Sequence, residues 1–203
     1  MGKITRIEQQ KKKKNRVNIY INGEFSLGLY KDTVIKFHLY ENKEIAPEEI
    51  SSIKQYEEIT DAKEKVRNYI SYRERSKKEI QKYLTQKGIR KEVTKKVLFD
   101  FEKANLIDDH RFANSWIKDR NKNNPKGNFA LKMELKEKGI EENKIESALQ
   151  SNDEKANLLK AFEKAANKYG KKKISEKKIF EYLKRRGFEI QSIIDVLRER
   201  LSS

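Results

Sequence analysis

The segment Ile80-x3-Leu84-x3-Gly88-Ile89 returns as Leu131-x3-Leu135-x3-Gly139-Ile140 and again as Ile179-x3-Leu183-x3-Gly187-Phe188, so one helical unit is written three times. In each copy two aliphatic residues four apart share one face of a helix. The glycine beyond them is free to take the left-handed conformation that closes a helix end. Each copy then resumes with a hydrophobic residue and reaches a leucine ten positions past the glycine, at Leu98, Leu149 and Leu197. A unit this small buries its apolar face only against its neighbours, so the pattern predicts a tandem array with a long binding surface. In such an array Gly139, with a unit on either side, is expected to tolerate a side chain least.

Composition agrees with an elongated helical array. Of 203 residues, 39% are charged and only 35% hydrophobic, the balance of a thin array with much exposed surface. There is no cysteine, which excludes disulfides, thiolate metal ligands and cysteine nucleophiles. The start, Met1-Gly2-Lys3-Ile4, lacks the apolar core of an export signal, and no stretch nears the roughly 20 apolar residues of a membrane span. These features predict a soluble cytoplasmic protein with no membrane partner, expected to be monomeric. The formal charge of +16 points to a polyanionic partner.

The first 59 residues read differently from the rest. Val17, Ile19 and Ile21 alternate with polar residues, Asn22-Gly23 supplies a two-residue hairpin turn, and Phe25, Leu27 and Leu29 alternate again. Thr5 to Ile7 offers a further strand, and the Lys11–Lys14 run suits an exposed turn. Asp32 is placed to cap a short helix carrying Val34, Ile35 and Leu39, and Pro47 to begin another that ends near Glu58. From Thr60 onward the period is helical. The expected fold is mainly α: a β-hairpin with short helices over 1–59, then three-helix units over 60–107, 108–151 and 152–203. The middle helix of the first unit opens with Ser76-x-x-Glu79, a capping box.

Little in the chain resembles a catalytic site. Two histidines, His38 and His110, are too few for a zinc site of the usual kind. Asp108-Asp109 could hold Mg²⁺ in a nuclease, but an aspartate at a helix start more often accepts bonds from the first free N–H groups. The serines have no evident base, and the glycines form no phosphate-cradling loop. No catalytic residue, metal ligand or cofactor is assigned.

The cations carry more pattern. Lys87, Lys138 and Arg186 stand directly before the three repeat glycines, where a positive charge also favours a helix C-terminus by roughly 0.3–1 kcal/mol. The junction ahead of each middle helix adds Arg73 and Arg75, then Arg120, Lys122 and Lys126, then Lys171, Lys172 and Lys173. Cations at matching points of three units predict a basic stripe able to follow a helical polyanion or an acidic protein groove. As exposed charges, they are expected to contribute little to folding.

Two segments carry a family resemblance. They are Tyr69-Ile-Ser-Tyr72-Arg73-Glu-Arg75-Ser76-x-x-Glu79-Ile80-x3-Leu84-x2-Lys87-Gly88 and Leu106-Ile107-Asp108-Asp109-x-Arg111-Phe112-Ala113-x2-Trp116. With Lys126-Gly127 through Leu131, Leu135 and Lys138-Gly139-Ile140, they resemble the RecX family, bacterial modulators of the recombinase RecA. The resemblance covers residues 60 to 200, and the N-terminal segment looks like the extension of its longer members. It implies a curved array lying in the groove of the RecA filament on single- or double-stranded DNA and altering, most simply inhibiting, its growth, ATPase and strand exchange. It brings no catalytic residues. Arg73, Arg75, Lys87, Arg111, Lys126, Lys138 and Arg186 become the candidate contacts, although Arg111 is equally placed to pair with Asp108 or with a neighbouring helix. A glycine-broken helix pair with a basic face also fits a helix-turn-helix DNA-binding repressor. Against that, Arg90, Lys91, Lys95 and Lys96 of one copy are answered by Glu141, Glu142 and Glu146 in another. A protein-bridging adaptor is a third reading.

Overall fold

The computed structural model describes residues 1–169 and 175–201; Lys171, Lys172, Lys173 and the side chains of Ser175 and Leu201 lie outside the described residues. The chain forms two compact units, one of Met1–Tyr72 with Gln81–Lys103 and one of Arg73–Ile80 with Ala104–Ser203.

The first unit opens with strands β1 (Gly2–Gln9), β2 (Arg16–Ile21) and β3 (Glu24–Tyr30), joined by β4 (Glu44–Ile45) into a four-stranded sheet of order β3-β2-β1-β4. The pairings are antiparallel. Asn22 and Gly23 turn the hairpin with φ of 52° and 87°, as a primed two-residue turn requires. The alternation through Phe25, Leu27 and Leu29 is broken by a bulge: Ile19 pairs with Leu27, but Tyr20 pairs with Phe25. The extra residue moves Phe25 to the outer face. There it is 60% exposed and meets the Tyr20 ring edge-on at 6.0 Å. Inside, Ile4, Val17, Ile19, Leu27, Leu29, Leu39 and Ile45 form a core closed by Ile53.

Two helical expectations are corrected here. The cap of α1 (Lys31–Lys36) is Tyr30, because the strand runs straight into the helix; Asp32 sits in the first turn, and Leu39 lies buried beyond the helix end. Helix α2 runs unbroken from Pro47 to Ile70. No proline or glycine stands between Glu58 and Thr60 to interrupt its ladder, so the two short helices read from the sequence are one. Ile53 is buried in the sheet core, while Ala62 and Val66 are buried further along. Glu57 ties the helix to the sheet: it accepts from Thr33 Oγ1 at 2.7 Å and Tyr30 N at 3.1 Å, with Arg16 beside it at 3.1 Å. Burial pushes its carboxyl above the usual range despite these donors.

The remaining helices are α3 (Lys77–Gln86) and α4 (Lys91–Lys103), then α5 (Asp109–Asn123), α6 (Asn128–Glu137) and α7 (Glu142–Gln150), then α8 (Glu154–Tyr169), α9 (Ser175–Arg185) and α10 (Ile190–Leu201). Ile80, Leu84, Leu131, Leu135, Ile179 and Leu183 are all fully buried. Each middle helix closes alike. The glycine N–H bonds back to Thr85, Lys136 or Lys184, and the next residue's N–H to Leu84, Leu135 or Leu183. This double bond pattern is the Schellman motif, and Gly88, Gly139 and Gly187 hold the positive φ it needs, at 73°, 79° and 76°. The repeated leucine therefore supplies both a core side chain and the accepting carbonyl. Phe112, Ala113, Ile117, Leu131, Leu135, Ile140, Ile145 and Ala148 form the second repeat's core, with Trp116 against it. Leu158, Phe162, Ile179, Leu183, Phe188, Ile193 and Leu197 anchor the third.

Candidate functional site

The start of each middle helix carries donors that its own turn leaves unpaired. At α3 and α6 the following repeat satisfies them. Lys77 N donates to Asp109 Oδ1 at 2.9 Å, and Asn128 N donates to Glu154 Oε1 at 2.8 Å. Asp109 and Glu154 are the first residues of α5 and α8. The residue before each later glycine completes the joint: Lys138 O accepts from Ser76 Oγ at 2.8 Å, and Arg186 O accepts from Gly127 N at 2.9 Å. The glycines are the points of approach. A Cβ on Gly139 would come within 2.8 Å of Lys78 Cβ, and one on Gly187 within 2.6 Å of Ala130 N, while Gly88 has nothing within 4 Å.

Asp108 and Asp109 therefore act as caps. Asp108 accepts from His110 N at 2.7 Å and Arg111 N at 3.2 Å on its own helix. Burial raises its carboxyl, but these backbone donors prevail and hold it low. Asp109, 5% exposed, serves the neighbouring repeat. Among the described residues no group of His, Asp or Glu is arranged to hold a metal ion, and no helix is long and apolar enough to cross a membrane.

Three of the candidate cations, Arg73, Lys126 and Lys138, meet at two carboxylates. Glu79 receives Arg73 through both guanidinium nitrogens, at 3.0 and 3.1 Å, and Lys138 Nζ at 2.8 Å. Its N–H donates to Ser76 Oγ at 3.2 Å, so the hydroxyl half of the expected capping box is present. Glu134 receives Trp116 Nε1 at 2.7 Å, Arg120 Nε at 2.8 Å and the ammonium of Lys126. Burial works to raise both carboxyls, but the converging donors overcome it and hold both below the usual range. Arg186 reaches Pro125 O at 3.1 Å and the side chain of Asn124. Arg111 reaches Glu74 at 2.8 Å, rather than the Asp108 carboxylate, and the carbonyls of Asn105 and Leu106. The pre-glycine cations also lie over aromatic rings: Lys87 over Tyr83 at 5.7 Å, Lys138 over Trp116 at 4.9 Å and Arg186 over Tyr182 at 4.4 Å.

Arg73, Lys87 and Arg111 are exposed; Arg75, Lys126, Lys138 and Arg186 are half-buried. The second unit thus brings Arg73 to Lys138 around Glu79, and sets Lys126 on Glu134. Spacing in the sequence does not single out Glu79 and Glu134 as hubs. Their signal was an acid inside each of two middle helices whose junctions are crowded with arginine and lysine.

Models of three domains match this chain: the regulatory protein RecX N-terminal domain over residues 2–46, and the first and second three-helix domains of RecX over 62–99 and 108–149. A regulatory protein RecX of Bacillus licheniformis is 32% identical over 98% of this chain and 78% of its own length. The chain belongs to the RecX family. A RecX of Streptococcus sanguinis is 33% identical over 92% of this chain and 72% of its own. In three dimensions, a crystal structure of regulatory protein RecX aligns over 100% of this chain and 99% of that one, with a TM-score of 0.73 and 26% identity. One of RecX from Lactobacillus salivarius covers 70% of this chain and 96% of its own, with a TM-score of 0.61 and 27% identity. The three-helix repeats and the small N-terminal sheet are thus features of a RecX regulatory protein.

Proposed function

We propose that this RecX-family chain binds the nucleoprotein filament of RecA on DNA and inhibits filament growth, ATP hydrolysis and strand exchange. The observation that carries the reading is its kinship with RecX regulatory proteins over nearly its whole length. The charge of +16 supports it, because a nucleoprotein filament presents a repeating array of negative charge. The contacts proposed are Arg73, Arg75, Lys87, Arg111, Lys126, Lys138 and Arg186. Their duties divide: exposed Lys87 presents its ammonium outward, while Arg73, Arg111, Lys126, Lys138 and Arg186 also hold parts of the fold together. Binding acts without chemistry; a protein seated on the filament blocks addition of the next subunit and the motions coupled to ATP turnover.

The test is RecA-dependent ATP hydrolysis on single-stranded DNA with and without the chain. The expected outcome is a rate that falls as the chain is added and recovers as salt rises. An unchanged rate at saturating concentrations, with tight binding to one duplex sequence, would transfer the reading to a repressor.

A further inference from the structure

Helix α4 turns a lysine-framed phenylalanine to solvent. Val93, Thr94, Val97 and Phe101 are buried on its inner face. Phe99 stands in the middle of the outer face, 65% exposed. Its neighbours one turn away on either side are Lys95, Lys96, Glu102 and Lys103, with Lys91 beyond. All four lysines are exposed. Among the described residues none of them forms an ion pair: nearby Asp100 and Glu58 answer to Lys63 and Arg90, and Glu102 has a partner of its own. Glu92 shares this face and lies in the first turn, where its charge complements the helix dipole.

The fold does not require these residues. At the matching positions after its own glycine, α7 carries Glu142, Glu146, Ser147 and Gln150 where α4 has Lys91, Lys95, Lys96 and Phe99, yet the inner positions Thr94 and Val97 of α4 and the matching Ile145 and Ala148 of α7 are buried alike. A repeat that forms the same helix with two acids, a serine and a glutamine there leaves lysines around a bare ring to be explained by what they meet outside.

We propose that the outer face of α4 is a stacking platform for single-stranded nucleic acid, with Phe99 under a base and Lys91, Lys95, Lys96 and Lys103 along the phosphates. Unpaired bases present their flat faces to an aromatic ring, whereas duplex bases are stacked on one another and unavailable. Four unneutralised ammonium groups track a phosphate backbone. Phe99 has no donor or acceptor, so recognition is tolerant of sequence. The inference deepens the filament reading by naming the DNA strand as the ligand of one face.

The experiment is the binding of a fluorescein-labelled oligothymidylate to the whole chain without RecA, followed by anisotropy. Phe99→Ala should weaken binding roughly ten-fold and Phe99→Trp should restore it, because stacking survives any aromatic. Lys95→Ala with Lys96→Ala should flatten the dependence of log K on log salt by roughly 0.7 per lysine removed. Phe129→Ala, which removes an exposed ring on α6, should bind as the parent does. Circular dichroism of every variant should match the parent. No oligonucleotide binding by the parent, or parental affinity in Phe99→Ala, overturns the proposal. If the parent ignores the oligonucleotide but Lys95→Glu with Lys96→Glu abolishes its effect on RecA, the face meets an acidic protein surface, and the filament reading stands alone. Binding that depends on Phe99 in a chain without effect on RecA leaves this proposal standing and removes the filament reading.

Discussion

The hydroxyl of Ser76 donates to the backbone carbonyl of Lys138 at 2.8 Å, so the first middle helix begins on the residue with which the second one ends. Gly127 and Arg186 repeat the relationship at 2.9 Å through the backbone N–H, since glycine has no hydroxyl to offer. The glycine that ends one helix lets its chain approach the start of another, and that approach satisfies donors the earlier helix could not pair for itself.

The three glycines should therefore differ in cost. Gly88→Ala meets open space and should lose only the left-handed preference, about 1–2 kcal/mol. Gly139→Ala presses on the Lys78 side chain and should cost more. Gly187→Ala meets the backbone of Ala130 and should cost most. The expectation that the middle glycine is the most sensitive is replaced, because the closeness of backbone matters more than the number of neighbours. Urea unfolding of the three variants should give that order, and equal midpoints would remove the glycine approach as a constraint.

Reversing the candidate cations should not be uniformly silent in stability. Lys138→Glu sets a carboxylate against Glu79, whose side chain is only 14% exposed, and should cost about 2 kcal/mol. Lys87→Glu, on an exposed residue, should stay within about 0.5 kcal/mol of the parent. Thermal melts of the pair decide the point; identical melting temperatures would mean that the Glu79 cluster contributes nothing to folding.

Asp109→Ala removes the acceptor of Lys77 N in a buried position and should destabilise by about 1–2 kcal/mol. Asp108→Ala, at an ordinary helix cap, should cost about 1 kcal/mol. Denaturant titration measures both. Full stability in Asp109→Ala would show that the joint does not need this cap.

Acid should loosen the second unit. The folded carboxyls of Glu79 and Glu134 lie below their unfolded value of about 4.3, so their contribution is complete above that value and is lost as pH falls through the folded ones. Glu57 has the opposite sign: its raised folded value means that its ionisation weakens the fold as pH rises past the unfolded value. The double variant Glu79→Gln, Glu134→Gln should lose stability at neutral pH and show a flatter acid limb. A limb as steep as the parent's would assign acid unfolding to other carboxylates.

Much of this chain could be read without coordinates, because local chemistry set it. Helix period, the leucine that serves as both core and acceptor, the glycine at each helix end and the Asn22-Gly23 turn are decided within a few residues of chain. Family kinship rested on the same short-range pattern. What required the folded structure were relations between residues far apart in sequence. A bulge opposite Tyr20 turned Phe25 outward. Asp109 was revealed as the cap of another repeat's helix. Lys126, Lys138 and Arg186, indistinguishable from exposed lysines and arginines by spacing alone, were drawn onto Glu134, Glu79 and the Asn124 loop. Charge is a property of composition, but which charges remain unpaired depends on the distances that folding imposes, and Coulombic attraction decides between neighbours only once they are within a few ångströms.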